Sequence, residues 1–165
     1  MPDAPTLGTP LRLPCGVTLP NRLLKSAMTE GLADAEDRPT AAHLTLYRRW
    51  SEGGTGTLVT GNVMVDRRYL ERPGNVVIES DDLPLLRDWA AAGTSGGNQL
   101  WMQISHPGRQ CTRLVASEPV APSEVTLRLG GLFGKPRALS QTEIPEIIAR
   151  YARVAGQSRA LRRCG

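Results

Sequence analysis

Asn98–Gln110, NQLWMQISHPGRQ, is the stretch from which the rest of the chain is read. Leu100, Trp101, Met102 and Ile104 make a nearly continuous apolar run, the pattern of a strand covered on both faces. Gln103 breaks the run near the strand's carboxyl end. A buried carboxamide must find hydrogen-bond partners or cost a few kcal/mol. The chain then leaves through Ser105-His106-Pro107-Gly108-Arg109, a turn with a titratable ring, a fixed cation and two backbone breakers. Polar chemistry at the carboxyl end of a buried parallel strand is where α/β folds place ligands. The alternative is that Gln103 is a satisfied core polar group and the turn an ordinary loop.

Working outward, the chain alternates strand and helix. Leu11–Pro14 and Val17–Pro20 flank Cys15-Gly16 and read as a small hairpin. Leu23–Met28 reads as a first long-range strand, although Lys25 and Ser26 make it less apolar than an interior parallel strand should be. Thr40, after Pro39, caps a helix that Gly53-Gly54 stops. Thr57–Val65 is a second strand, interrupted by Gly61, a residue that marks either a bulge or close approach by backbone or ligand. Val76–Ile78 is a short apolar run within an extended loop. Asp81 or Asp82 caps a second helix over Leu83–Ala92. The third strand is the opening stretch. A long connection rich in Pro and Gly, Ser105–Leu139, follows it, as a functional lid or a disordered segment does. Ser140 and Glu143 form a capping box ahead of a third helix to about Arg159, with Ile144, Ile147, Ile148, Tyr151 and Val154 at helical spacing. This β-α-β-α-β-α order predicts a parallel sheet. No GxGxxG or GxxxxGK[ST] follows a strand, so neither a dinucleotide fingerprint nor a P-loop is present. An open sheet, or the first three units of a β/α barrel, remains.

Composition narrows the function classes. The 165 residues suffice for one core, and 40% hydrophobic with 22% charged residues is ordinary for a globular chain. The net charge of +4 is spread over Arg48-Arg49, Arg67-Arg68 and Arg162-Arg163, with no basic block for nucleic acid. No apolar run approaches the length of a membrane span. The start, MPDAPTLGTP, lacks the features of a signal peptide. Cys15, Cys111 and Cys164 form neither a CxxC pair nor an even disulfide framework, which points to the cytoplasm and away from a metal site.

Several spaced segments carry a resemblance: PLRL…GVTLPNRLLKSAMTEG, LYRRWSEGGTGTLVTGNVMVD, QLWMQISHPGRQ, APSEV and ALSQTEIPEIIARYARVAGQ. In this order, from Leu11 to Gln157, the chain resembles the old yellow enzyme family, the NADH:flavin oxidoreductases. The resemblance implies the N-terminal three β/α units of a (β/α)8 TIM barrel, preceded by the hairpin. It also implies FMN at the carboxyl ends of the strands, NAD(P)H as reductant and an activated alkene or similar small molecule as acceptor. On that likeness Ser26, Ala27, Met28 and Thr29 lie along the flavin ring, with the Thr29 hydroxyl near its reactive edge. Gly61 gives the ring room. Gln103 bonds the pyrimidine side through its amide, which donates and accepts in one plane. His106 and Arg109 stand near the site mouth, where fixing the long loop competes with substrate contact. The tyrosine that one branch of the family has after the first-strand motif is not matched by Glu30-Gly31-Leu32. The family's fourth strand, its His-rich substrate motif, its flavin-contacting arginine and its phosphate loops have no counterpart here. The partial barrel domain is therefore read as 1–157. Residues 158–165, SRALRRCG, are read as a non-family tail, such as a reading-frame change would leave. Three units cannot close an eight-strand barrel. The alternatives are a non-catalytic remnant, or a piece of a related iron–sulfur flavoenzyme barrel such as a dienoyl-CoA reductase.

Overall fold

The computed structural model describes residues 4–79 and 83–160. The opening hairpin forms as expected, with β1 (Leu11–Arg12) antiparallel to β2 (Thr18–Leu19). The main sheet is parallel and centred on β4 (Thr57–Met64). On one edge of β4, β3 (Leu24–Lys25) pairs with Thr57–Leu58, and β5 (Val76–Val77) pairs with Val63–Met64. On the other edge runs β6 (Gln99–Ser105). The first strand therefore neighbours the second, and the second the third, as the alternation predicts. The sequence did not mark Val76–Val77 as a strand. It takes the edge of β4 that the chain vacates after Lys25.

The helices cover one face only. α1 (Ala41–Glu52) starts where Thr40 and Pro39 place it. The Thr40 backbone N–H donates to His43 Nδ1 at 3.2 Å, so an imidazole acts where a capping box uses Glu. α2 (Leu83–Thr94) runs a little beyond the expected end, and its expected caps, Asp81 and Asp82, lie outside the described residues. α3 (Glu143–Ala160) has the predicted capping box: Ser140 N donates to Glu143 Oε2 at 2.8 Å, and Glu143 N to Ser140 Oγ at 3.3 Å. Its buried side is not the whole expected stripe. Val154 is fully buried, whereas Ile144 and Ile148 are exposed.

The core lies between this helix layer and the sheet, where Tyr47, Trp89, Leu86, Leu58, Val63 and Val65 are buried together. Leu100, Met102 and Ile104 of β6 pack against it. Alternation then turns Trp101, Gln103 and Ser105 to the opposite, inner face. The same parity applies to β3. Lys25 Nζ sits 4.2 Å from the Trp50 ring centre and donates to Val59 O at 2.9 Å, so Lys25 faces the helices. Leu24 and Ser26 face inward. A lysine in this strand is thus satisfied by a ring face and a carbonyl at the point where β3 pairing ends. The reading of β6 as covered on both faces is corrected. Trp101 is 37% exposed and Gln103 is exposed, because no described element packs on that part of the inner face.

The long connection is ordered rather than loose. A short 3-10 turn (Gly108–Gln110) follows β6, and β7 (Val120–Ala121) pairs in parallel with β8 (Arg137–Ala138). Its Val115 packs on Met64, Leu70 and Val77, so it covers the inner face at the carboxyl end of the sheet. Among the described residues, no helix is long and apolar enough to cross a membrane.

Candidate functional site

The site begins with a defect in β4. The register with β6 runs Val59↔Trp101 and then Asn62↔Gln103, so Thr60 and Gly61 together oppose Met102. This is a bulge. It interrupts the ladder, and the Thr60 hydroxyl repairs it. The hydroxyl accepts from Gln103 N at 3.0 Å and donates to Gly61 O at 2.8 Å.

The chain leaving β3 closes over the bulge. A Cβ at Gly61 would fall far inside contact distance of the Met28 carbonyl and the Glu30 carboxylate. The room at Gly61 is therefore used by the protein's own backbone, which replaces the expectation that the glycine makes space for a ring. Glu30 Oε1 accepts from Gly61 N at 3.0 Å and from the Tyr47 hydroxyl. Tyr47 is fully buried; burial, and then the Glu30 carboxylate, push its phenol well above the ordinary range, so it stays a donor. Burial lowers the Lys25 ammonium below its usual value, against the pull of Glu30.

Beyond the bulge, β4, β6 and the segments that follow β3 and β4 contribute to one polar row. Asn62 lies opposite Gln103 on the inner face. Its Nδ2 reaches Thr29 Oγ1 at 3.5 Å and Glu71 Oε2 at 3.4 Å. Thr29 Oγ1 donates to the same Glu71 oxygen at 2.7 Å. The other oxygen, Glu71 Oε1, accepts from Arg72 Nε at 2.9 Å. Burial raises the Glu71 carboxyl, but the bonds from Arg72, Thr29 and Asn62 outweigh it and hold the group below its usual range. Below the row, Leu24, Met28 and Trp101 expose apolar surface. Above it sits the Met64–Leu70–Val77 cluster.

The structure thus brings Ser26–Thr29, Gly61 and Gln103 to the carboxyl end of adjacent strands. Gln103 points inward, and its carboxamide bonds to no described residue. His106 and Arg109 do not join the row. His106 is partly buried, its Nδ1 accepts from Gly108 N at 3.1 Å, and its ring lies 5.4 Å from that of Tyr69. Burial lowers its pKa, so the ring stays neutral and braces the turn. Arg109 is exposed beside a shallow groove that includes Ala121 and Val125. A groove of about 880 Å³ lies on the helix side between α2 and β6, around Trp89 and Leu100, and takes in none of the row's side chains. Sequence reasoning missed Glu30, Asn62 and Glu71. The first two adjoin flagged residues. Glu71 lies 42 positions from Thr29 and carries no local signal.

Comparison with known proteins gives a consistent result. The sequence model of the NADH:flavin oxidoreductase / NADH oxidase family matches residues 6–165. The NADH-dependent flavin oxidoreductase iliE of Hypocrea jecorina is 39% identical over 166 residues, spanning 88% of this chain and 41% of that protein. The structure of the old yellow enzyme homologue from Zymomonas mobilis superposes with a TM-score of 0.82 at 24% identity, over 95% of this chain and 46% of the other. Morphinone reductase in complex with tetrahydroNAD gives 0.82 at 22%, over 96% and 47%. The chain spans less than half the length of these relatives. The fold they share is the TIM barrel, of which this chain forms an α/β part without closure.

Proposed function

The chain belongs to the NADH:flavin oxidoreductase / NADH oxidase family, and on that premise we propose that it carries the flavin-ring side of an FMN-dependent oxidoreductase. In that reading NAD(P)H is the reductant and an activated alkene or similar small molecule the acceptor. One observation carries the proposal: Thr29, Asn62 and Gln103, from three adjacent segments, meet on the inner face at the carboxyl end of the sheet.

The residues present fit the ring end of FMN. The Gln103 carboxamide is exposed and has no described partner, so its donor and acceptor are both available in one plane. Met28 and Trp101 offer apolar surface beside it. When bound, the flavin supplies the hydride chemistry. The chain's own part is to hold and orient. Ser26, Ala27 and Met28 line the ring. Glu30, through Gly61 N and Tyr47, fixes the segment that carries them. Gly61 serves the site by letting Met28 approach. His106 fixes the long connection, and a substrate role for Arg109 has no geometric support. Residues 1–157 make up the partial barrel domain in this reading. A cytoplasmic setting fits Cys15 and Cys111, which stand free.

Titration of the purified chain with FMN, followed by flavin fluorescence and by NADH or NADPH oxidation, tests this. Ring contacts contribute about 0.5–1.5 kcal/mol each, against an association cost of at least ~4 kcal/mol. The expected result is saturable binding weaker than micromolar, with no turnover. Micromolar binding with turnover would mean that another chain or copy completes the site. Absence of saturable binding at millimolar FMN would remove the ring-site reading.

A further inference from the structure

We propose that Thr60 is a positioning residue for the ring site: from the helix side of the sheet, its hydroxyl holds the bulge of β4 against Gln103 and so sets the Gln103 carboxamide beside Asn62. The inference rests on the ring-site reading above, and deepens it.

Thr60 stands away from the inner face. It is 2% exposed and borders the helix-side groove with Leu86, Leu100 and Met102. Its effect therefore passes through the backbone. The directions of its two bonds follow from the groups involved. A backbone N–H only donates and a carbonyl only accepts. The hydroxyl thus accepts from Gln103 N at 3.0 Å and gives its single proton to Gly61 O at 2.8 Å. Gln103 has one backbone hydrogen, and in a regular parallel ladder it would go to a carbonyl of β4. Here a side-chain oxygen takes that carbonyl's place.

Other bonds fasten the bulge from the side of β3. Gly61 N donates to Glu30 Oε1 at 3.0 Å, and Lys25 Nζ donates to Val59 O at 2.9 Å. The Thr60 hydroxyl ties the bulge to β6, at the residue whose carboxamide the ring site uses. The register resumes at Asn62↔Gln103, so the point that Thr60 fixes is also where the polar row begins. A β-branched residue suits this task, because its χ1 is restricted and holds the oxygen in place. Removing the hydroxyl leaves the Gln103 N–H and the Gly61 C=O without partners within the sheet. Each is costly alone, and the nearest remedy is for the two to meet. That draws Gly61 O into the ladder and shifts Gln103 relative to Asn62.

The test pairs Thr60→Val with Thr60→Ser, read by amide hydrogen exchange, NMR contacts and titration with FMN. In the wild-type chain the Gln103 N–H should exchange slowly, and the Asn62 amide should show its contact with Thr29. Thr60→Val keeps the shape and loses the hydroxyl. Exchange at Gln103 should then quicken and the Asn62 contact weaken. FMN should bind about tenfold more weakly, the worth of roughly one net hydrogen bond. Thr60→Ser keeps the hydroxyl and should restore all three readings. Far-UV circular dichroism checks that the fold is kept. Thr60→Ala, which also lacks the hydroxyl and sets no methyl against the Gly61 carbonyl, serves if Thr60→Val does not fold. A folded Thr60→Val chain with wild-type exchange at Gln103, or with wild-type affinity for FMN, overturns the proposal and leaves the ring-site reading standing. So does a Thr60→Ser chain that behaves like Thr60→Val, since the methyl and not the hydroxyl would then matter. No FMN binding by the wild-type chain overturns the ring-site reading and the role of Thr60 in it.

Discussion

The two faces of the sheet are built to different ends. The helix face is closed: Tyr47, Leu58, Val63 and Val65 are fully buried, and so are His43 Nε2 and Trp89 Nε1, which have no hydrogen-bond partner among the described residues. The inner face leaves Leu24, Met28 and Trp101 partly in solvent and places its polar row between two apolar patches. The buried core and the candidate site therefore lie on opposite sides of the same strands. Substitutions on one side should hardly register on the other, except where Tyr47 and Glu30 bridge the two.

The largest expected effect is on the helix face. Tyr47→Ala removes a fully buried ring and the donor to Glu30, and should cost about 3–5 kcal/mol in denaturant unfolding. If Tyr47→Ala instead unfolds like wild type, the helix face is not the core. Gly61→Ala comes next. Its methyl would overlap the Met28 carbonyl, so a loss of about 1–3 kcal/mol is expected, together with weaker FMN binding. A stable Gly61→Ala chain would mean that the bulge yields easily. On the inner face, Trp101→Ser should change stability by less than about 0.5 kcal/mol and reduce self-association in light scattering, because the open face and the free edge of β6 are what would associate. A large loss of stability there would erase the contrast between the faces. The smallest effect concerns the exposed start of α3, away from the core. Glu143, bonded by Arg137 and the Ser140 N–H, has its carboxyl held down at about 2 from an ordinary 4.5. Its contribution is present above about pH 4.5 and is lost as pH falls toward 2. Helical circular dichroism should decline across that window and do so less in Glu143→Gln.

The element order was legible because it rests on local signals. Pro39-Thr40, Ser140…Glu143 and the glycines after α1 each mark an end through their own backbone chemistry. β5 was not legible, since two valines become a strand only through their register with Val63–Met64. The site was half legible. Gln103 and Thr29 stand out as polar residues at strand ends. Gly61 showed that something approaches closely, but not that the visitor is the Met28 carbonyl. Glu71 could not be found by any window, because its place beside Thr29 depends on how the loop after β4 folds back. The exposure of Trp101 was misjudged for a similar reason. An apolar run records what a strand can bury, and not whether a partner is there.

The bulge at Thr60-Gly61 acts as a parity switch. Before it, odd-numbered residues of β4 face inward, as Val59 does beside Trp101. After it, even-numbered residues do, as Asn62 does beside Gln103 and Met64 beside Ser105. In an unbroken ladder the same residues would run Val59, Gly61, Val63 along the inner face and turn Asn62 toward the helices. A chain lacking Thr60 or Gly61 would close the ladder and still set Asn62 opposite Gln103. In a lineage, a one-codon deletion there would leave the amide in place, whereas a change that flattens the bulge without removing a residue would erase it.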